Sequence, residues 1–283
     1  MYAVIKWLEQ IFNTIPLSLL EVWGRFGYLV GFALMLCAFG GLTFKPGGRW
    51  GFGRQRQTWN TRALLSCVIT FVLIFLTGYL GSFIVLVPGA QTFESLKDLS
   101  VFLCIVLFGF PALVVVPFAY GLSDLVEGVP PNFLVDWVFG YFINPACFWV
   151  AYQLIGRDPD FRRARTWGWY LLFVALFMAI EPQLWGYLAA TQFTPAIAYR
   201  TVTPALFFTT AITWIIAPPA MLAALPLARR YGMFWREIPQ HVGERCWTDK
   251  AWSYESASAE RGAAGVPIRM FLAAPFIALV LVL

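Results

Sequence analysis

The sequence predicts an all-α integral membrane helical bundle, with about six complete transmembrane helices and a truncated seventh. Three observations carry this expectation. The chain is 60% hydrophobic and only 12% charged, where soluble domains carry about 25% charged residues. Its apolar residues lie in long continuous runs, which suits helices; a transmembrane barrel would show alternation. Sixteen of the twenty Lys and Arg fall in three connections between those runs, the distribution expected of cytoplasmic loops. Thirteen Trp, eleven Tyr and twenty-seven Phe supply the aromatic belts of such a protein. A balance of +5 concentrated this way speaks for membrane topology, with lipid as a partner, and against a nucleic-acid footprint. No short h-region with a cleavage site opens the chain. The five cysteines have no metal-ligand spacing and no readable disulfide framework.

Residues 1–20 mix Lys6, Glu9, Gln10, Asn13 and Thr14 with bulky apolar side chains, and Pro16 breaks the run. This pattern predicts an interfacial amphipathic helix lying on the membrane. The membrane bundle follows over 21–227. Its spans are expected near 22–43, 63–88, 101–122, 133–155, 167–189 and 203–227. Gly27 and Gly31 form a lone G-x-x-x-G, a pattern frequent by chance in apolar spans. Residues 228–267, the one sizeable polar stretch, read as a cytoplasmic linker. The stretch 268–283 reads as the start of a further transmembrane helix. Fourteen apolar residues after Arg269 reach roughly 21 Å, short of a bilayer core of about 30 Å. The front part of a longer chain is one explanation; a short, tilted or interfacial C-terminal helix is the other.

The basic connections are 44–62 (Lys45, Arg49, Arg54, Arg56, Arg62), 156–166 (Arg157, Arg162, Arg163, Arg165) and 228–269 (Arg229, Arg230, Arg236, Arg245, Lys250, Arg261, Arg269). Placing all three inside conflicts with the span count. Three apolar segments separate the first two connections, and loops on one side need an even number of crossings. The region 101–155 is the source of the conflict, because Pro111, Pro117, Pro130, Pro131 and Pro145 interrupt it. Proline removes a helix hydrogen bond, and broken backbone at membrane depth survives only inside protein or along a cavity. The segment 123–132 is expected to form a re-entrant elbow or a buried turn.

Ionisable groups within spans are candidates for function. Glu181 lies about fifteen residues into the fifth span, followed by Pro182, Gln183, Trp185 and Tyr187. Pro182 kinks the helix and frees carbonyls beside the carboxylate. The group reads as part of a ligand pocket or proton-sensing site, or as a carboxylate near the outer headgroups satisfied by Arg200 or water. Asp136 opens the fourth span, and Asn144 lies eight residues on, within one helical face. With Tyr141 and Tyr152 they would line one stripe, unless Asp136 is simply an acidic helix start favoured by the dipole. Asp124 and Glu127 flank the elbow and read as loop or interface groups. Thr209 and Thr213 share a face and suit hydrogen bonding to neighbouring helices. Gly47–Arg54 lacks the Gly-Lys-Ser/Thr ending of a phosphate loop and reads as a basic aromatic loop near anionic lipid. His241 reads as solvated. No catalytic or metal motif appears, and no cofactor is indicated.

Gly109-Phe110-Pro111-Ala112, then Pro117, Ala119, Gly121, Asp124 and Gly128, about twenty residues in all, resembles the small-residue segment ending in Asp-Leu of vitamin-binding S-components of energy-coupling-factor transporters. The first span has no A-x-x-x-A coupling motif of those subunits. The layout as a whole is similar to N-terminal multi-span membrane sensor regions ahead of bacterial histidine kinases and nucleotide cyclases. The resemblances imply a multi-pass module of the bacterial inner membrane, without enzyme activity of its own. It would bind a small or lipophilic ligand, or sense membrane state, and pass a helix shift to an output domain through which it would also dimerise. A solute-binding transporter subunit is the alternative, and an intramembrane enzyme the third reading. The expected ligand pocket comprises Glu181, Gln183, Trp185, Asp136, Asn144 and Tyr120.

Overall fold

The computed structural model describes residues 2–40, 42–45, 51–54, 59–87 and 91–237. The predicted linker beyond Glu237, His241 and the start of a seventh span lie outside these residues, as does the first half, 47–50, of the glycine-rich stretch 47–54. The fold is predominantly α-helical. Helix α1 (Tyr2–Thr14) is followed by α2 (Leu17–Phe39), α3 (Thr61–Ser82), α4 (Ser95–Phe108) and α5 (Phe110–Val126). Then come α6 (Pro131–Asp136), α7 (Val138–Leu154), α8 (Ala164–Ala189), α9 (Pro195–Ile197) and α10 (Thr203–Arg230). A π-turn, Ala198–Val202, leads into α10, and a 3₁₀ turn, Trp235–Glu237, follows it. Two short antiparallel strand pairs join Leu42–Lys45 to Gly51–Arg54 and Val85–Val87 to Gln91–Thr92. Among the described residues, four segments are long and apolar enough to cross a membrane: Leu17–Phe39, Thr61–Ser82, Ala164–Ala189 and Pro195–Glu237.

The first helix is amphipathic as its sequence requires. Ile5 and Phe12 are buried, while Lys6 is exposed and pairs with Glu9 at 2.8 Å. Pro16, which can open a helix but not continue one, separates it from α2, so α2 begins at Leu17, five residues before the expected span. Gly27 lets α2 approach α8: a Cβ there would lie 2.8 Å from the Ile180 carbonyl oxygen. Trp23 Nε1 donates to the Ala179 carbonyl of α8 at 2.8 Å. The G-x-x-x-G pair thus sits where small residues permit close helix packing.

The stretch 101–122, read from the sequence as one span, is two helices. They meet at Gly109, whose φ of +65° is a backbone conformation that glycine adopts without Cβ strain. A Cβ there would also collide with the Trp235 indole. The two helices double back on each other, because Lys97 near the start of α4 contacts Asp124 and Glu127 at the end of α5. Helix α3 runs beside α5 in the same direction, with Cys67 near Pro111 and Gly78 near Ser123.

Successive long helices therefore alternate in direction from α3 onward. Trp137 of the α6–α7 junction reaches the Leu188 carbonyl at the end of α8 (3.1 Å), and Gly186 of α8 abuts Thr203 at the start of α10. Arg236 Nη2 donates to the Tyr152 carbonyl at 3.0 Å, and Gly232 lies against Arg62. The starts of α3 and α8 and the ends of α7 and α10 consequently share one end of the bundle. The described parts of the three basic connections lie at this end.

Between the ends, the core is aromatic. Trp214 of α10 sits 4.9 Å from Phe173, 4.8 Å from Phe177 and 5.5 Å from Phe102 between ring centroids. Tyr170 donates its hydroxyl to the Trp214 carbonyl. Ser95 and Thr213 tie α4 to α10, the first donating to Thr209 O at 2.6 Å and the second to Ser95 O at 3.2 Å. These threonines serve helix packing.

Candidate functional site

At the end of the bundle opposite the basic connections, α4 begins with Glu94, Lys97 and Asp98, and α5 ends with Asp124 and Glu127. The i, i+3 spacing puts Glu94 and Lys97 on one face of α4, and likewise Asp124 and Glu127 on α5. The α4–α5 turn brings the two faces together. Lys97 is 1% exposed. Its Nζ lies 2.6 Å from Asp124 Oδ1, 2.9 Å from Glu94 Oε2 and 3.1 Å from Glu127 Oε1, and stands 4.4 Å over the Tyr120 ring. Acidic groups at a helix C-terminus oppose the macrodipole, and Lys97 offsets that cost for Asp124 and Glu127. Gly78 of α3 leaves the room: a Cβ there would fall 3.1 Å from Lys97 Cδ.

Hydroxyls complete the network. Tyr141 donates to Asp124 Oδ2 at 2.8 Å, Ser123 to Glu127 Oε1 at 2.5 Å, and Tyr120 approaches Asp98 Oδ1 at 3.1 Å and Glu94 Oε2 at 3.3 Å. Thr92 donates to Glu94 Oε1 at 3.1 Å. Burial pushes the Glu94 carboxyl up to about 7, a rise that Lys97 opposes and the charges of Glu127 and Asp124 reinforce.

Beside this network lies a cavity of about 320 Å³, bounded by Glu94, Asp98, Asp124 and Glu127, by Tyr120, Trp137, Trp185 and Phe133, and by Glu181 of α8 and Val202 and Leu206 around the start of α10. Trp185 is the centre of its aromatic wall. Tyr120 stacks on it at 6.4 Å and 17°, Trp137 meets it edge-on at 6.0 Å, and Tyr141 is 5.9 Å away. Glu181 is 2% exposed, and its Oε2 has no hydrogen-bond partner among the described residues. Comparison with protein-family models, curated proteins and solved structures finds no match to this chain. The chemistry of the cavity therefore has to be read from its own residues.

Three of the six pocket residues expected from sequence, Glu181, Trp185 and Tyr120, line this cavity. Gln183 and Asn144 are fully buried elsewhere in α8 and α7, and their amide groups have no hydrogen-bond partner among the described residues. Gln183 faces α2, its Cβ 3.4 Å from where a Gly27 Cβ would stand. Asp136 is exposed and accepts a hydrogen bond from Gln192. The stripe of Asp136, Tyr141, Asn144 and Tyr152 does not form as one face. The chain breaks at Trp137, so Asp136 ends α6 while the other three, all buried, belong to α7.

Asp124 and Glu127, read as loop or interface groups, are central to the ion network. Glu94, Lys97 and Asp98 were missed altogether. The available signal was the cluster Glu94-x-x-Lys97-Asp98 ahead of an apolar run, answered by Asp124-x-x-Glu127 after it. Those two acidic clusters are separated by enough helix to return to the same level only if Gly109-Phe110-Pro111 is a turn.

Proposed function

We propose that the chain is a membrane-embedded sensor module, in which occupancy of the cavity at the acidic end is passed along α10 to the basic end and on to an output domain. The observation that carries this reading is the span of α10. Its first residues border the cavity through Leu206, and its last, Arg229 and Arg230, stand at the opposite end, 28 helical residues in all. That length corresponds to about 42 Å, enough to join the two faces of a bilayer in one helix, with Pro218, Pro219 and Pro226 inside it as the places where it can bend. A ligand shifts such an element only by binding its two positions with different affinity.

In this reading the protein is a multi-pass inner-membrane protein with its basic connections in the cytoplasm. The α4–α5 hairpin enters and leaves from the acidic side, which gives an even number of crossings between 44–62 and 156–166 and removes the conflict in the charge pattern. The elbow 123–132 becomes the rim of the cavity, with Gly128 and Val129 bordering it. The cavity's position at the helix ends also favours sensing over solute carriage, for which sites lie near the bilayer midplane.

Leu206→Trp tests the proposal by filling the cavity from within. Amide hydrogen exchange over 221–231 in the purified protein should change, with helicity and elution volume preserved. Identical exchange in the filled variant would remove the proposed link between the two ends.

A further inference from the structure

We propose that the cavity binds a small organic cation, an ammonium group carrying an apolar body. The inference deepens the sensor reading and rests on the cavity being a ligand site. Five carboxyl groups border the space, Glu94, Asp98, Asp124, Glu127 and Glu181, one third of the fifteen acidic residues in the chain. Lys97 is the one cation paired with them among the described residues, and it engages Glu94, Asp124 and Glu127. Among the described residues, Asp98 receives the Tyr120 hydroxyl and no ion pair, and Glu181 Oε2 has no hydrogen-bond partner.

Buried carboxylates are paired or neutralised in stable structures, and a bound cation would pair these two. An anion would meet the same carboxylates as repulsion. The positive end of the α4 dipole, which would otherwise attract an anion, is already occupied by Asp98 in its first turn.

The aromatic wall selects the kind of cation. Indole and phenol faces attract ammonium groups, most strongly when water is excluded, and Trp185 with Tyr120 and Trp137 supplies them. A bare metal ion gains little from such faces and would want several oxygen ligands at one point; no group of three or more potential metal ligands is assembled among the described residues. A volume of about 320 Å³ is at the small end of ligand sites.

The test is calorimetric titration of the full chain, purified in detergent, with three ammonium probes of different shape: tetramethylammonium, phenethylammonium and 1,4-diaminobutane. At least one should bind saturably. Glu181→Gln and Asp98→Asn should each weaken it by about tenfold or more, as expected for loss of a charge-assisted contact. The near-isosteric 3-phenylpropionate anion and 3-phenylpropanol should not compete. No saturable binding of any ammonium probe, equal binding of the anion or the alcohol, or equal displacement by calcium would each overturn the cation assignment. Binding of the anion or alcohol would still leave the cavity as a ligand site. The sensor reading fails separately, if a probe binds and exchange at the end of α10 does not respond.

Discussion

The two ends of the α4–α5 hairpin solve the problem of a buried cation in different ways. At the open end, Lys97 is held within 3.1 Å by three carboxylates that border a cavity. At the turn end, Trp235 closes over Gly109, and Arg236 beside it donates to the Tyr152 carbonyl while standing 4.0 Å over the Tyr152 ring. The first arrangement is crowded with acid and leaves Asp98 and Glu181 without an ion pair among the described residues. The second uses a backbone acceptor and an aromatic face and packs tightly. The difference separates a site from a joint: carboxyl groups left over beside empty space can respond to a ligand, whereas a filled contact fixes the ends of α7 and α10 together.

Removing the cations should expose this contrast most strongly. Lys97→Met leaves the buried Asp124 and the half-buried Glu94 and Glu127 without their partner, at a cost of about 3–5 kcal/mol. Arg236→Met loses a carbonyl hydrogen bond and a cation–π contact and should cost about 1–3 kcal/mol. Urea or thermal denaturation in matched detergent, followed by circular dichroism, compares the two. Equal losses would erase the distinction between the ends.

Gly109→Ala comes next. It forces a side chain into a positive φ and against Trp235, a strain of about 1–3 kcal/mol. Trp235→Ala in the same background should recover part of that loss, which a double-mutant cycle measures.

The smallest expected effect is pH dependence at the acidic end. Glu94 has an ordinary value of 4.5 and titrates near 7 in the fold. Between those values the folded state holds a proton that the unfolded state has released, so the contribution of this group to stability falls as pH rises from about 4.5 to about 7. Melting temperatures taken across that interval should decline less steeply in Glu94→Gln than in the wild type. An unchanged slope would place the titration elsewhere.

The helical class and the bounds of α8 and α10 were legible in the sequence because each helix coincides with a continuous apolar run of span length; α3 ends at Ser82, six residues short of the expected 88, because the apolar run continues into the strand Val85–Val87. The hairpin was not. Residues 101–122 have the length and hydropathy of a single span, and the turn within them depends on Gly109 at positive φ, which a run of apolar letters does not reveal. The candidate site divides along the same line. Glu181, Trp185 and Tyr120 stand out against apolar neighbours and do border the cavity. Glu94, Lys97 and Asp98 precede the apolar run and look like loop charges; their burial exists only because the hairpin returns Asp124 and Glu127 to them. Asp136 and Asn144 do not share a stripe because the helix breaks between them at Trp137, a break that eight-residue spacing does not reveal.

The central claim is that the acidic cavity and the basic end are coupled through α10. It is tested most directly by a distance measurement between spin labels at Arg162→Cys and Tyr231→Cys, both exposed, in a background with the native cysteines replaced. The distance distribution should shift when the tightest-binding ammonium probe is added, and Glu181→Gln should abolish the shift at the same probe concentration. A distribution that stays fixed while calorimetry shows the probe bound would contradict the account.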